Sequence, residues 1–213
     1  GNSEIRGLAF SSSGTTDDLS LRSDGNHVLG CVIASSRYGV YITGNGNLVG
    51  GTGAGESNEI KNNSTGVYVY SGTGNKIRAN SVHDNTNLGI DLYPLGVTAN
   101  DTYDPDTGAN GLLNYPEFEY VSSGSPGGIG GYVTGSVYET QTIDFYASAS
   151  CDASGYGEGT IYLGSTSVGV IPGLTCRFHA TLPSVPAGYQ ITATATDSQG
   201  NTSEFGACMT GIA

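Results

Sequence analysis

Four Gly-Asn dipeptides, Gly1-Asn2, Gly25-Asn26, Gly46-Asn47 and Gly74-Asn75, recur at intervals of 24, 21 and 28 residues. Between them stand short apolar strings: Ile5/Leu8/Phe10, Val28/Cys31/Ile33, Val40/Ile42, Ile60/Val67/Val69 and Ile77/Val82/Ile90/Leu92. A second marker recurs in step, as Gly39-Val-Tyr, Gly66-Val-Tyr and Gly89-Ile-Asp. A unit of this length cannot bury its own apolar face and must stack on copies of itself. Its strands, about three to five residues each with alternating apolar positions, become stable only as members of a continuous parallel sheet. Successive coils then lie about 4.8 Å apart. Sharp corners need φ > 0, which Gly adopts freely and Asn better than most residues. Asn at equivalent corners can also stack along the axis. Hairpin turns use the same residues, but they imply shorter strand-to-strand intervals than this repeat shows. The solenoid is the preferred reading.

Composition excludes the competing classes. Glycine supplies 35 of 213 residues without a three-residue period, so the chain is not collagen. Interior glycines each cost a helix about 1 kcal/mol relative to alanine, which disfavours a helical fold. Fourteen tyrosines and many apolar clusters argue against disorder. No apolar run is long enough to span a bilayer as a helix. The net charge of −12, with only seven scattered basic residues, excludes a nucleic-acid partner. It suits an extracellular or cell-surface location and cation binding. The chain starts at Gly1 without methionine or signal peptide, as a processed product or a piece of something longer does.

Asparagine and proline divide the chain. Fourteen of fifteen Asn lie at or before Asn114, whereas the first of seven prolines is Pro94. The expected organisation is a solenoid of about four coils over 1–95, an Asp/Asn-rich connector over 96–122 and a β-sandwich over 123–213. Expected sandwich strands are Gly131–Val137, Thr142–Ala149, Gly159–Leu163, Leu174–Leu182, Tyr189–Asp197 and Ser203–Met209. Ile191/Ala193/Ala195 alternate with Thr192/Thr194/Thr196, as one buried and one wet face require. Three of the four cysteines follow residue 150, which permits a disulfide there, and four cysteines allow three complete pairings. Cys31 reads as a buried small hydrophobe.

The stretches N-E-I-K-N-N-S-T-G-V-Y-V (58–69), G-N-K-I-R-A-N-S-V (74–82) and G-I-D-L (89–92) resemble right-handed parallel β-helix repeats of the pectate-lyase-like superfamily. The segments 100–116, C-D-A-S-G-Y-G-E-G (151–159) and T-A-T-A-T-D-S-Q-G-N-T-S-E-F (192–205) resemble large bacterial secreted and surface proteins. In those, such a β-helix runs into a C-terminal immunoglobulin-like sandwich. The fold class implied is all-β, a short right-handed parallel β-helix followed by that sandwich. The resemblance implies a Cys151–Cys208 disulfide, with Cys151–Cys176 as the alternative. It implies architecture more than function.

Bound chemistry is best placed in the connector. Asp101, Asp104, Asp106 and Asn110 surround Gly108, and Asp91 stands on the preceding strand. Closely spaced hard oxygens suit calcium, and no basic residue lies between Arg78 and Arg177. The same residues also serve as turn caps through Asx bonds. A catalytic reading would use Lys76, Arg78, His83 and Asp84, but a basic proton abstractor needs a depressed pKa or a metal-polarised substrate. Exposed cations on a solenoid usually serve solvation instead. Glu158 and Glu204 read as turn and edge residues. Tyr38, Tyr41, Tyr68 and Tyr70 can form a stripe on adjacent coils, able to stack on one another or on sugars. The expectation is a non-catalytic scaffold or adhesive module, self-associating head to tail or continuing a longer chain, with cell-surface glycans as possible ligands. A calcium-dependent carbohydrate-binding or carbohydrate-cleaving module is the alternative.

Overall fold

Strands of three to five residues gain partners only by winding the chain, and the N-terminal half winds through four coils of three strands each. The computed structural model describes residues 1–122 and 127–210, so the boundary at residue 123 lies outside it. The first coil holds β1 (Glu4–Arg6), β2 (Ala9–Ser11) and β3 (Leu19–Leu21), and the second β4 (His27–Leu29), β5 (Val32–Ala34) and β6 (Tyr38–Ile42). The third holds β7 (Leu48–Gly50), β8 (Glu59–Lys61) and β9 (Thr65–Val69), and the fourth β10 (Lys76–Arg78), β11 (Ser81–His83) and β12 (Ile90–Leu92). Three parallel sheets result, β1-β4-β7-β10, β2-β5-β8-β11 and β3-β6-β9-β12.

Register puts like residues in columns. Ile5, Val28, Val49 and Ile77 align in the first sheet, and Phe10, Ile33, Ile60 and Val82 in the second. Leu19, Val40, Val67 and Ile90 align in the third. From the second coil onward these side chains are buried, each contributing about 1.5–3 kcal/mol of hydrophobic stabilisation. Ile5 and Phe10 in the first coil are only partly covered. The residues 51–57 form a turn insertion between β7 and β8.

Both repeat markers now have a physical cause. Gly25, Gly46 and Gly74 adopt φ of 69°, 62° and 69° at one corner, a conformation that costs other L-residues energy. The asparagine that follows each is buried and bonds across coils. Asn47 Oδ1 accepts from the Asn26 backbone and side-chain amides, both at 2.9 Å. Asn75 Oδ1 accepts likewise from Asn47 at 3.1 and 2.9 Å. Two further ladders run through Asn58–Asn80 and Asn63–Asn85. Gly39, Gly66 and Gly89 stack because the coils approach too closely there for any side chain. A Cβ on Gly66 would collide with the Gly89 carbonyl oxygen and lie 3.1 Å from Val82 Cγ1.

After a single 3-10 turn (Ala109–Leu112) come β13 (Glu117–Ser122), β14 (Gly127–Val133), β15 (Glu139–Ser148), β16 (Ile161–Val170), β17 (Cys176–Leu182), β18 (Gln190–Thr196) and β19 (Met209–Thr210). They form two antiparallel sheets, β13-β14-β17 and β16-β15-β18-β19. Ile129, Phe145, Phe178, Ile191, Ala193 and Ala195 are among the residues of the core between them. Cys151 and Cys208 are joined, with Cα atoms 6.2 Å apart, while Cys31 and Cys176 are buried and free. Several strands differ from the sequence reading: β14 lies at Gly127–Val133 instead of Gly131–Val137, β16 runs on to Val170 past the expected end at Leu163, and two segments differ in kind. β13 escapes it because Glu117, Glu119 and Tyr120 are exposed on both faces of the strand. The strand expected over Ser203–Met209 is mostly irregular. Ser203 and Gly206 bond to β18 at 2.9 Å each, but the Glu204 side chain is engaged by the solenoid.

Candidate functional site

A solenoid end exposes a full cross-section of backbone donors and acceptors. The C-terminal end of this one is closed by the sandwich. Ile77 N donates to Thr202 Oγ1 at 3.0 Å, Ala79 N to Tyr146 Oη at 3.0 Å, and Val82 N to the Gly159 carbonyl at 2.9 Å. Leu92 N donates to Glu204 Oε1 at 2.9 Å, and Thr98 N to Oε2 at 2.9 Å. Two of the three buried asparagine ladders continue past the last coil, one into the connector and one onto a seam residue. Asn75 N donates to Asn110 Oδ1 at 3.0 Å, and Asn110 Nδ2 reaches the Thr202 carbonyl at 3.0 Å. Asn85 donates from N and Nδ2 to Glu158 Oε1 at 3.2 and 2.7 Å. Glu158 therefore occupies the place of the next asparagine. Tyr146 and Phe205 join the same apolar cluster as the solenoid core.

Electrostatics reinforce the seam. Arg78, at the end of β10, forms a bidentate pair with Asp144 of β15: Nε–Oδ2 is 2.5 Å and Nη2–Oδ1 2.7 Å. Asp144 is fully buried, and Tyr162 donates to its Oδ1 at 3.0 Å. The Asp144 hydrogen bond raises the Arg78 pKa further. Arg78 thus clamps β10 to β15 and is not the solvated surface cation that its place on a coil strand suggests. Burial pushes Glu158 and Glu204 each up to about 7, and Asp91 to about 6. The reading of Glu158 and Glu204 as turn and edge residues is corrected: both are seam acceptors with less than a tenth of their surface exposed. Sequence offered one signal for Glu158, an acid amid glycines in G-Y-G-E-G. Asp144 offered none, being an acid at a core position of a strand.

The connector brings together three of the five oxygen donors expected there. Carboxylate oxygens of Asp101, Asp104 and Asp106 all lie within 4.8 Å of one another. Asp101 Oδ1 and Asp106 Oδ1 are buried without any hydrogen-bond partner, while Asp104 Oδ1 accepts from Asn114 N at 2.9 Å. Burial, with Asp106 and Asp101 adding repulsion, raises Asp104 to about 6. Of the other two, Asn110 lines the same cavity as Asp104 and Asp106 but its side chain is engaged by Asn75 and Thr202, and Asp91 lies apart. Asn110 ends an asparagine ladder, and Asp91 sits on the outer face of β12, where Oδ2 accepts from Gly96 N at 3.2 Å.

The remaining sequence candidates separate. His83 Nδ1 lies 2.7 Å from Asp84 and Nε2 3.5 Å from Glu59, at a cleft of about 470 Å³ lined also by Asp152 and Glu158. Lys76 is exposed on β10. The tyrosines do converge. Tyr38 and Tyr68 ring centroids are 4.7 Å apart, Tyr41 and Tyr70 6.0 Å, and Tyr70 and Tyr93 4.9 Å. Arg37 lies 4.4 Å from the Tyr38 ring centroid, close enough for cation–π attraction. Burial pushes Tyr68 up to about 12. Tyr93 was not part of the sequence stripe; it falls on the Tyr70 column only because Tyr93 N pairs with Val69.

No curated protein matches the chain. Residues 1–106 match the family model described as a right handed beta helix region, and with the four stacked coils this identifies the N-terminal half as a right-handed β-helix.

Proposed function

We propose that this chain is a non-catalytic, extracellular structural and adhesive module in which a sandwich is fastened onto a β-helix. One observation carries the reading: the buried polar groups at the seam serve to join the two halves. Arg78, Asp144, Glu158 and Glu204 all bond across it, an arrangement suited to transmitting load. The same reading takes the C-terminal sheets as an immunoglobulin-like sandwich and the solenoid as pectate-lyase-like. Two packed antiparallel sheets support the former, and the asparagine ladders with short parallel strands support the latter. The disulfide is compatible with an oxidising extracellular setting. No helix among the described residues is long and apolar enough to cross a membrane.

The first coil presents the edge strands β1, β2 and β3, with Leu8 54% exposed. Unpaired edges recruit further strands. Because the sandwich covers the opposite end, fibre growth through this edge needs a coil from a longer chain or a contact to a neighbour's sandwich. Sedimentation velocity and electron microscopy over rising concentration test this. Association that disappears on Phe10→Lys is expected, and a monomer at every concentration overturns the self-assembly part of the proposal.

A second reading rests on the orphaned oxygens of Asp101 and Asp106. Calcium would supply the missing partner and relieve the repulsion among three carboxylates. Calcium is then expected to raise the melting midpoint, with the gain lost in Asp101→Asn/Asp106→Asn. Identical melting in calcium and in chelator overturns it.

A further inference from the structure

We propose that the Cys151–Cys208 disulfide is a thiol-exchange site. A thiol reductant whose other groups are neutral or cationic enters the cleft beside it, opens the disulfide and frees the loop that closes the Asn63–Asn85 ladder. This goes beyond the structural reading above by placing one side of the seam under chemical control. The loop runs from the end of β15 at Ser148 to the start of β16 at Ile161. It crosses to the solenoid to offer Glu158 to Asn85. Its base is fixed, since Ser148 Oγ donates to the Glu158 carbonyl at 2.9 Å and accepts from Thr160 N at 3.0 Å. Residues 151–157, by contrast, belong to neither sheet. They are tied down by the disulfide and by two backbone bonds to the segment it joins, Gly157 N to the Gly206 carbonyl at 3.0 Å and Cys208 N to the Gly155 carbonyl at 3.1 Å. Tyr115 Oη adds a bond to Tyr156 Oη at 3.1 Å. The second cap segment is anchored independently, because Ser203 N and Gly206 N bond to β18. Opening the disulfide therefore loosens 151–157 and the hold of Glu158 on Asn85, while Tyr146 and Glu204 keep theirs on Ala79 and Leu92.

Access and charge define the reductant. Cys151 and Cys208 are partly exposed, and Cys151 lines the cleft of about 470 Å³ with Asp84, Asp152 and Glu158. Cys31 and Cys176 are packed in the solenoid and sandwich cores, so the attacking thiol comes from outside. Its thiolate attacks Cys151 Sγ, the sulfur on the cleft. The S–S bond breaks, and its electron pair leaves with Cys208 Sγ, which takes a proton. A second thiol equivalent attacks the mixed disulfide, releasing Cys151 as a thiol and leaving the reductant oxidised as its own disulfide. Two electrons and two protons pass to the protein. Three carboxyl groups face that path, and His83, the basic residue on the cleft wall, is engaged by Asp84 and Glu59. Like charges therefore slow a thiol that carries its own carboxylate.

Two measurements on the whole chain test the site. Initial rates of disulfide opening by cysteamine and by 3-mercaptopropionate are each divided by the rate with an uncharged model disulfide. The normalised rate is expected to favour cysteamine by at least about fivefold at low ionic strength, and the ratio to shrink in concentrated salt. Amide hydrogen exchange is then followed before and after reduction by dithiothreitol. Asn85 and Gly157 are expected to exchange at least about tenfold faster after reduction, with Ala79 and Leu92 still protected. Cys151→Ser/Cys208→Ser is expected to show the same pattern without reductant. Protection retained at Asn85 and Gly157 overturns the latch, as does equal loss at all four amides, which would make the disulfide a general staple. Equal normalised rates overturn the class of reductant. Protected Ala79 and Leu92 beside an unmoved Asn85 would leave the seam intact and remove only its redox control.

Discussion

Asn63 shows what a single residue contributes to this fold. Its Oδ1 accepts from both the backbone and the hydroxyl of Ser36, its Nδ2 donates to Asn85, and its side chain is 1% exposed. Replacement by alanine leaves the backbone and hydroxyl donors of Ser36 without partners in a site that water does not reach, while Asn85 Oδ1 keeps only the Asn63 backbone donor. Each such group costs about 1–3 kcal/mol, so Asn63→Ala is expected to lower stability by at least about 2 kcal/mol in chemical denaturation. Asn45, whose side chain bonds in an exposed corner, provides the control: Asn45→Ala should cost clearly less, because water can replace its bonds. Equal losses at the two positions would show that burial does not set the value of a ladder.

At the scale of elements, the seam couples stability to pH. Glu158 faces Asn85, His83 and Asp152, and Glu204 faces Leu92, Thr98 and Asp91; burial raises both carboxyls to about 7. Asp91 and Asp104 rise to about 6 for the same reason. A carboxyl whose folded pKa exceeds its unfolded one holds its proton more tightly when folded. Its stabilising contribution is complete below the unfolded value, near 4, and is lost as pH climbs through the folded value. The melting midpoint is therefore expected to fall between about pH 5 and pH 8. Glu158→Gln/Glu204→Gln should flatten that slope, and an unchanged slope would remove these two groups as its origin.

The same elements show what sequence could and could not convey. The β-helix was legible because its requirements are local and repeated: each Gly-Asn marks a corner, and each Gly-Val-Tyr marks a close approach of stacked coils. The alternation along β18 was half legible. Ile191, Ala193 and Ala195 pack into the sandwich core, but the threonine face expected to be wet is buried, Thr192, Thr194 and Thr196 being at most 3% exposed. The segment 202–206 covers it, with Thr192 Oγ1 donating to the Gly206 carbonyl at 2.7 Å. The seam was not. Arg78 and Asp144 are 66 residues apart, and nothing near either residue signals a partner. Within the connector, spacing identified Asp101, Asp104 and Asp106 as neighbours but could not show that Asn110 is drawn away by the Asn75 ladder. β13 stayed hidden because its pairing with β14 comes from backbone bonds, not from an apolar pattern.

For the whole molecule, a covered solenoid end means that neither half has a complete surface without the other. Separating them would expose the Phe205 and Tyr146 rings, unpair the donors of β10 and β11, and leave both Arg78 and Asp144 without the opposite charge each now faces. Removing one partner of a buried ion pair costs about 3–5 kcal/mol, comparable with much of the total stability of a domain. Differential scanning calorimetry of the full chain and of Asp144→Asn tests this most directly. One structural unit requires a single transition in the native chain, with calorimetric and van't Hoff enthalpies equal, and a lower or split transition in the variant. Two independent transitions in the native chain, unmoved by Asp144→Asn, would contradict a sandwich that caps the β-helix.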